Sequence, residues 1–413
     1  MSGHAVPVDF SGHMLDLDED EDLEVFSKNT SLADGGPMPN SPSSMVNQYR
    51  LEEEEEARDF FIAVDNPESH VTAIETFITY RVVTKTTRSE FDSSEYEVRR
   101  RYQDFLWLRG RLEENHPTLI VHPLPEKFVM KGMVERFNED FIETRRRALH
   151  RFLSKISVHP ILSCSQHLKV FLTAQELLSH RKQAPGFLSR MGETVRAVAN
   201  SVRGVRSRPE EFTVMHEYVD NFSNKICSVD KVTQRIIKEH REYVDELQQY
   251  SPTFSQWAGS EEELQEPLKG VASCVERCSA ETEEQIQHLS EVLVPALHEY
   301  ILCADTLKAV MRRRDNIQAE FEAKNEVLAS RRVDQEALQE EVDGLADRVE
   351  LANNALKGDW SRWQSSMRTD LKSAFLSTAE KNVEYYEKCL AVWESFLLSQ
   401  RAEPSEQKED DAS

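Results

Sequence analysis

The apolar positions of this chain change period along its length. Phe60–Val64 is a short apolar run, Ala73–Thr86 is dense in β-branched and aromatic residues, and Glu95–Val98 alternates polar with apolar. These are strand patterns, the last with the period of a half-buried strand. From 103 to 114 the period becomes helical, with Phe105, Leu108 and Leu112 on one face. His116–Pro125 contains three prolines and is predicted to be an irregular, partly extended loop. Asn138–Ile156 and Ser165–Leu178 are predicted amphipathic helices. Three strands followed by helices predict an α+β domain of about 120 residues, spanning 58–180.

After Gly186 no strand pattern returns. Residues 209–400 carry heptad-like spacing, first at Ile226, Val229, Val232 and Ile236, then at Leu338, Val342, Leu345, Val349 and Leu356. Pro252, Pro267 and Pro295 are expected to bend or break the helices. Three helices of roughly 50 to 70 residues are too thin to bury their apolar faces alone. They need one another and a second chain, so this half is expected to be an all-α, elongated coiled coil that dimerises. Trp360, Trp363, Tyr385, Tyr386 and Trp393 are expected in the packing of the dimer.

Composition adds that the chain, 413 residues with 39% hydrophobic and 30% charged side chains, suits a protein rich in exposed helix. No apolar stretch approaches a bilayer span, and the N-terminus lacks the pattern of a secretory signal. The six cysteines show no paired spacing and read as reduced thiols of a cytosolic protein. The net charge of -24 is unevenly spread. Residues 1–57 hold 14 acidic and 2 basic side chains and read as a disordered acidic tail, as do the last residues, 401–413, on a smaller scale. Residues 58–180 are nearly balanced, 18 basic against 17 acidic, and 186–208 hold five arginines against one glutamate. Because screening reaches only about 8 Å at physiological salt, local clusters decide what is bound. No continuous basic stripe with interleaved aromatics is present, which disfavours nucleic acid.

The densest basic cluster is Arg99-Arg100-Arg101, running into Tyr102 where the strand pattern turns helical. Strand alternation sends Arg99 and Arg101 to one face and Arg100 to the other. Arg101 beside Tyr102 suits a phosphate contact with a ring alongside it, and a solvated strand edge is the plainer reading of the same string. Lys127 closes Pro123-Leu124-Pro125-Glu126-Lys127, a loop that proline stiffens. Arg145 falls on the apolar stripe of its helix, four residues from Phe141 and four from Leu149, and needs either an anion or a structural ion pair. Phe128, Val129 and Met130 follow on the same loop and suit equally a lipid headgroup region or the start of a packed helix. In the linker 181–208, Phe187, Leu188, Met191, Val195 and Val198 recur at helical steps while Arg190, Arg196, Arg203 and Arg206 lie mostly off that stripe. That is a basic amphipathic helix, able to lie in a membrane interface or against its own domain. Arg312, Arg313 and Arg314 form a further basic run, with Lys324, Arg331 and Arg332 beyond it. No catalytic set, phosphate-cradling glycine loop or metal-ligand spacing occurs, so neither an enzyme nor a cofactor is expected.

Arg101-Tyr102 with Phe105, the Pro-Leu-Pro-Glu-Lys loop, and Arg145 in Phe141-Ile142-Glu143-Thr144-Arg145 resemble the phosphoinositide-binding PX domain of sorting nexins. The resemblance implies that Arg101 holds the 3-phosphate of phosphatidylinositol 3-phosphate and that Tyr102 stacks under the inositol ring. It further implies that Lys127 meets the 1-phosphate and that Arg145 meets the ring hydroxyls. His122 departs from the pattern, since relatives commonly have proline there. With that match upstream, residues 209–400 resemble the BAR domain of PX-BAR sorting nexins, a curved dimer, whose basic run at Arg312–Arg314 is then expected to face the membrane. The resemblance implies a peripheral protein on the cytosolic face of early endosomes that senses or shapes tubules in sorting, recycling and autophagy. Its implied partner is another sorting nexin, such as sorting nexin 4, in a heterodimer, or a second copy of itself. The competing reading is a helical assembly scaffold whose lipid site only localises it.

Overall fold

The computed structural model describes residues 59–72, 76–126, 139–177, 208–330 and 335–401. Strands β1 (Phe60–Val71), β2 (Thr76–Thr86) and β3 (Glu95–Arg101) form an antiparallel meander in the order β1-β2-β3. Alternation decides its two faces: Tyr80, Val82, Val98 and Arg100 turn into the core, and Phe77, Thr79, Arg99 and Arg101 lie on the opposite face. β1 and β2 slip register between Asp65 and Glu68, where Asn66 takes a left-handed conformation, φ 41°. Asparagine tolerates that region better than most side chains.

Helix α1 (Tyr102–Asn115) starts directly from β3, and Asp104 accepts the Arg101 backbone N–H at 2.8 Å to close the turn. Helix α2 (Glu139–Ser157) crosses β1, fixed by the Val64 N–H donating to His150 Nδ1 at 3.2 Å and by Arg146 donating to the Val64 carbonyl at 2.7 Å. Helix α3 (Gln166–Thr173) is shorter than its apolar pattern predicts. Its end is taken by Arg100, 1% exposed, whose guanidinium donates to the carbonyls of Phe171, Ala174 and Arg99. A buried cation on the last carbonyls of a helix satisfies groups that the helix itself leaves open.

Three long helices follow. Helix α4 (Glu210–Ala258) runs through Pro252 without stopping. Helix α5 (Gln265–His288) carries Pro267 in its first turn, where the missing N–H costs nothing. It continues through a π turn at Leu289–Leu293 into α6 (Val294–Ser330). Pro295 stands immediately after that turn, so the irregularity absorbs the hydrogen bond that proline cannot make. None of the three prolines breaks its helix, and the irregularity near Pro295 takes the form of the π turn before it. Helix α7 (Gln335–Arg401) returns alongside.

Two apolar cores result, one between sheet and short helices, one among the long helices. Trp363 is buried in the second, and Trp360 packs against it, edge-on to Tyr218 of the same chain. These two tryptophans belong to the chain's own bundle, not to a dimer seam. The apolar faces left exposed are elsewhere: Val229, Val232, Ile236, Tyr243, Tyr250 and Trp257 along α4, and Leu376, Val383, Leu390 and Leu397 along α7. Val342, Leu345 and Leu356, from the predicted heptads, are buried within the bundle. All six cysteines are free thiols.

Candidate functional site

The outer face of β3 and the start of α1 converge with α2 at Arg101, Tyr102 and Arg145. Arg101 lies over the ring of Phe77, its Cζ 3.2 Å from the centroid, and Phe77 in turn stacks on His70 with centroids 5.2 Å apart. The Tyr102 hydroxyl donates to the Pro125 carbonyl, which ties the start of α1 to the proline-rich loop. Arg145 is clasped between two rings, with Cζ 4.4 Å from the centroids of both Tyr102 and Phe141. Its Nη2 donates to the Glu126 carbonyl at 3.3 Å, while its Nε is buried with no hydrogen-bond partner. Burial pushes the Arg145 guanidinium below its ordinary value, and the tyrosines Tyr80 and Tyr102 beside it oppose that. Tyr80 itself is pushed up to about 12, by burial first. A guanidinium held between two rings, with an unsatisfied N–H, is organised to meet an oxygen acceptor.

One face of the Tyr102 ring is thus occupied by Arg145, so a sugar-like ring has only the other face and the edges. Arg99 is engaged: it ion-pairs with Glu68 at 3.0 Å, donates to Thr79 Oγ1 at 3.0 Å and donates to the Asn66 carbonyl at 2.8 Å. It holds the bulge of β1. Phe77 and His70, which sequence reading missed, are brought by strand pairing to the face of Arg99 and Arg101, and Tyr80, also missed, lies with Arg100 on the core face. The signal that finds them is the alternation of β2 read against β3.

Arg314 corrects an expectation. It is 1% exposed and donates to Asn353 Oδ1 at 2.7 Å, to Asp315 Oδ1 at 3.0 Å and to Gln318 Oε1 at 3.3 Å, with Cζ 4.0 Å from the Phe212 ring centroid. A guanidinium so enclosed cannot touch a membrane. Arg313 turns to Glu113 at 3.5 Å and to the Pro117 carbonyl at 3.4 Å, and Arg312 is exposed. Lys127, Phe128, Val129 and Met130 lie outside the described residues, as do Phe187, Leu188, Arg190, Met191, Val195, Arg196, Val198, Arg203 and Arg206.

The loop that carries Pro125 and Glu126 also touches the long helices. Leu119 and Val121 turn into the sheet core, so Ile120 and His122, alternating with them, face α6 and α7. Ile120 packs against the second core, and Ala355 of α7 packs against the first. The Ile120 N–H donates to Asp359 Oδ2 at 2.6 Å, and His122 Nε2 lies 3.1 Å from Glu299 Oε1. A cavity of about 340 Å³ remains at this junction, lined by His122, Lys155, His159, Tyr300, Asp359 and Trp363 among others.

A three-stranded meander with helices, a basic-aromatic cluster at the β3–α1 junction and three long helices define a PX domain joined to a BAR-type helical unit. The family model of the PX domain matches residues 88–175. Human sorting nexin-7 is 60% identical over 365 residues, covering 88% of this chain and 94% of that protein. Sorting nexin-30 of Xenopus tropicalis is 47% identical over 397 residues, 94% of this chain and 89% of that protein. Sorting nexin-4 of Candida glabrata is 23% identical over 440 residues, 92% of this chain and all of that protein. Among solved structures, the cryo-EM structure of the SNX-BAR Mvp1 tetramer matches with a TM-score of 0.52 at 17% identity, covering 81% of this chain and 99% of that one, which is a likeness of fold. The chain belongs to the sorting nexin family. The family places it among membrane-associated sorting proteins, in general not enzymes, and among the described residues no helix is long and apolar enough to cross a membrane.

Proposed function

We propose that this sorting nexin binds phosphatidylinositol 3-phosphate on the cytosolic face of early endosomes and dimerises through α4 and α7 to sense or shape tubules. In this reading it serves endosomal sorting, recycling and autophagy. The observation that carries the lipid reading is Arg145, ring-clasped against Tyr102, the residue next to Arg101 in the chain, with an unpartnered buried N–H. Arg101 meets the 3-phosphate, the open side of Tyr102 supports the inositol ring, Arg145 meets ring hydroxyls, and Lys127 completes the set. Phe128, Val129 and Met130 enter the headgroup layer, and the segment from Phe187 to Arg206 lies in the interface. The dimer reading rests on the exposed apolar rows of α4 and α7, which a sorting nexin 4-type partner or a second copy covers.

Co-sedimentation with vesicles containing phosphatidylinositol 3-phosphate tests the lipid reading. Charge-assisted contacts are worth about 1.5–3 kcal/mol, so Arg101→Ala should weaken binding about 10- to 150-fold while the protein stays folded. Wild-type binding by that variant removes the assignment. Replacing Val195 and Val198 with glutamate should abolish vesicle tubulation more than headgroup binding. Tubulation that survives the change removes the interfacial role.

A further inference from the structure

The long helices offer two acidic side chains to the proline-rich loop, Asp359 buried and Glu299 half-buried, and that loop is the one that holds Tyr102 and Arg145. We propose that Asp359 and Glu299 are positioning residues for the lipid site, through which the helical unit sets the geometry of Tyr102 and Arg145. The proposal rests on the lipid-binding reading given above.

Asp359, 3% exposed, accepts from three directions: the Ile120 N–H at 2.6 Å, His159 Nε2 at 3.0 Å, and Arg362. His159 Nδ1 accepts the N–H groups of Ile161 and Leu162 at 3.1 and 3.0 Å, so its proton sits on Nε2 and points at Asp359. Burial alone raises a carboxyl, but the donors from His159, Ile120 and Arg362 outweigh it and hold Asp359 below its ordinary value. Glu299 stands 3.1 Å from both His122 Nε2 and Arg151 Nε, the one from the loop and the other from α2. His122, the departure from the family pattern, is thus the residue that faces this carboxylate.

From Ile120 and His122 the chain reaches Pro125 and Glu126 within six residues. Leu119, Val121 and Leu124 anchor that stretch in the sheet core. Pro123 and Pro125 fix their own φ and restrict the residue before each. The Pro125 carbonyl then accepts the Tyr102 hydroxyl, and the Glu126 carbonyl accepts Arg145 Nη2 at 3.3 Å. A short, stiff segment bonded at both ends cannot absorb a displacement at one end within itself. Movement of Asp359 or Glu299 therefore reaches the carbonyls that orient the site. Coupling between binding equilibria is reciprocal, so occupancy at Arg145 must also tighten the Ile120–Asp359 contact. A carboxylate that merely glued two domains together would have no such response to ligand.

The test uses the full chain, soluble dibutanoyl phosphatidylinositol 3-phosphate as probe, calorimetry for affinity and amide hydrogen exchange with and without probe. In the wild type, probe should slow exchange of the Ile120 amide and of residues 355–363. Asp359→Asn and Glu299→Gln should each raise the Kd about fivefold or more and diminish that slowing. If Asp359→Asn does not fold, Glu299→Gln, at a partly hydrated pair, carries the same test. Arg101→Ala separates the two layers: wild-type affinity in that variant overturns the lipid reading itself. If Arg101→Ala loses the probe while Asp359→Asn and Glu299→Gln keep wild-type affinity and the wild-type response at Ile120, the coupling alone is overturned.

Discussion

In the sheet-bearing half, the exposed large apolar residues among those described are three, Val71 and the neighbouring Val158 and Ile161, and they form no row. In the helical half they form rows: steps of three, four and seven from Val229 to Trp257 on α4, and steps of seven from Leu376 to Leu397 on α7, with Tyr386 67% and Leu398 70% exposed beside them. The first half closes its core with its own residues and Ala355 of α7. The second buries one stripe of each helix and leaves another dry-faced stripe in water, the pattern of a bundle that is only half assembled. Charge follows the same division. Arg100, buried, spends its donors on carbonyls of its own domain, whereas Lys381 and Lys388 span α5 and α7 through Glu284 at the surface, where pairs contribute little. On the proposed function, recognition belongs to the first half and association to the second.

The most severe way to break this contrast is Val383→Glu with Leu390→Glu. Each apolar side chain buried is worth about 1.5–3 kcal/mol, so two changes per chain should weaken dimerisation at least a thousandfold, roughly, by light scattering. An unchanged mass would show that the α7 row is not the seam. Next comes Arg100→Gln, which removes a buried cation from three carbonyls and should cost the sheet domain about 3 kcal/mol in denaturant unfolding. A loss below about 1 kcal/mol would mean that the end of α3 needs no such cap. Gly270→Val is expected to cost about 1–3 kcal/mol of helical-unit stability, because a Cβ at Gly270 would stand 2.5 Å from the Phe396 ring. A neutral effect on thermal melting would show that this ring moves freely. The gentlest test is acid. Burial raises the carboxyl of Asp370, but Lys155 and Tyr300 outweigh it, so both it and Asp359 lie below their ordinary values in the folded chain. Their contribution is therefore whole above the unfolded value, about 3.9, and is lost as pH falls through the folded values. Fluorescence of Trp363, at the junction of the halves, should stay constant from pH 7 to 5 and change below about pH 4. A signal that moves at pH 6 would assign the junction to histidines instead.

Much of this was legible in the sequence. Alternation alone separated Arg100 from Arg99 and Arg101, because strand faces are fixed by period two. The loop from His116 to Pro125 reads as irregular and partly extended, and burial alternates from Leu119 to Pro123 before Leu124 breaks the pattern. What could not be read was which arginine of Arg312–Arg314 turns inward. Successive helical residues point about 100° apart, so one of three faces the bundle, and Asn353, far along the chain, decides which. The end of α3 was misjudged for a similar reason. Local apolar spacing extends to Leu178, but a buried arginine from another element claims its last carbonyls. The prolines do not break their helices because their cost depends on where the missing N–H falls. Helix phase alone turned Arg145 inward, but its contact with Tyr102 and those of Asp359 and Glu299 with the loop join segments far apart in the chain.

The π turn at Leu289–Leu293 has a consequence for how such chains change over time. The Val294 N–H reaches back to the Leu289 carbonyl, one residue further than in an α-helix. Everything after it is rotated by about 100° relative to an uninterrupted helix. That phase slip lets α5 and α6, continuous in space, present differently spaced apolar residues to their neighbours. Deleting one residue there would turn Arg314, Tyr300 and Cys303 out of the bundle together. Length changes in this helix are thus admissible in whole turns, or in pairs of compensating single-residue events, and the turn acts as a reading-frame mark for the arm beyond it.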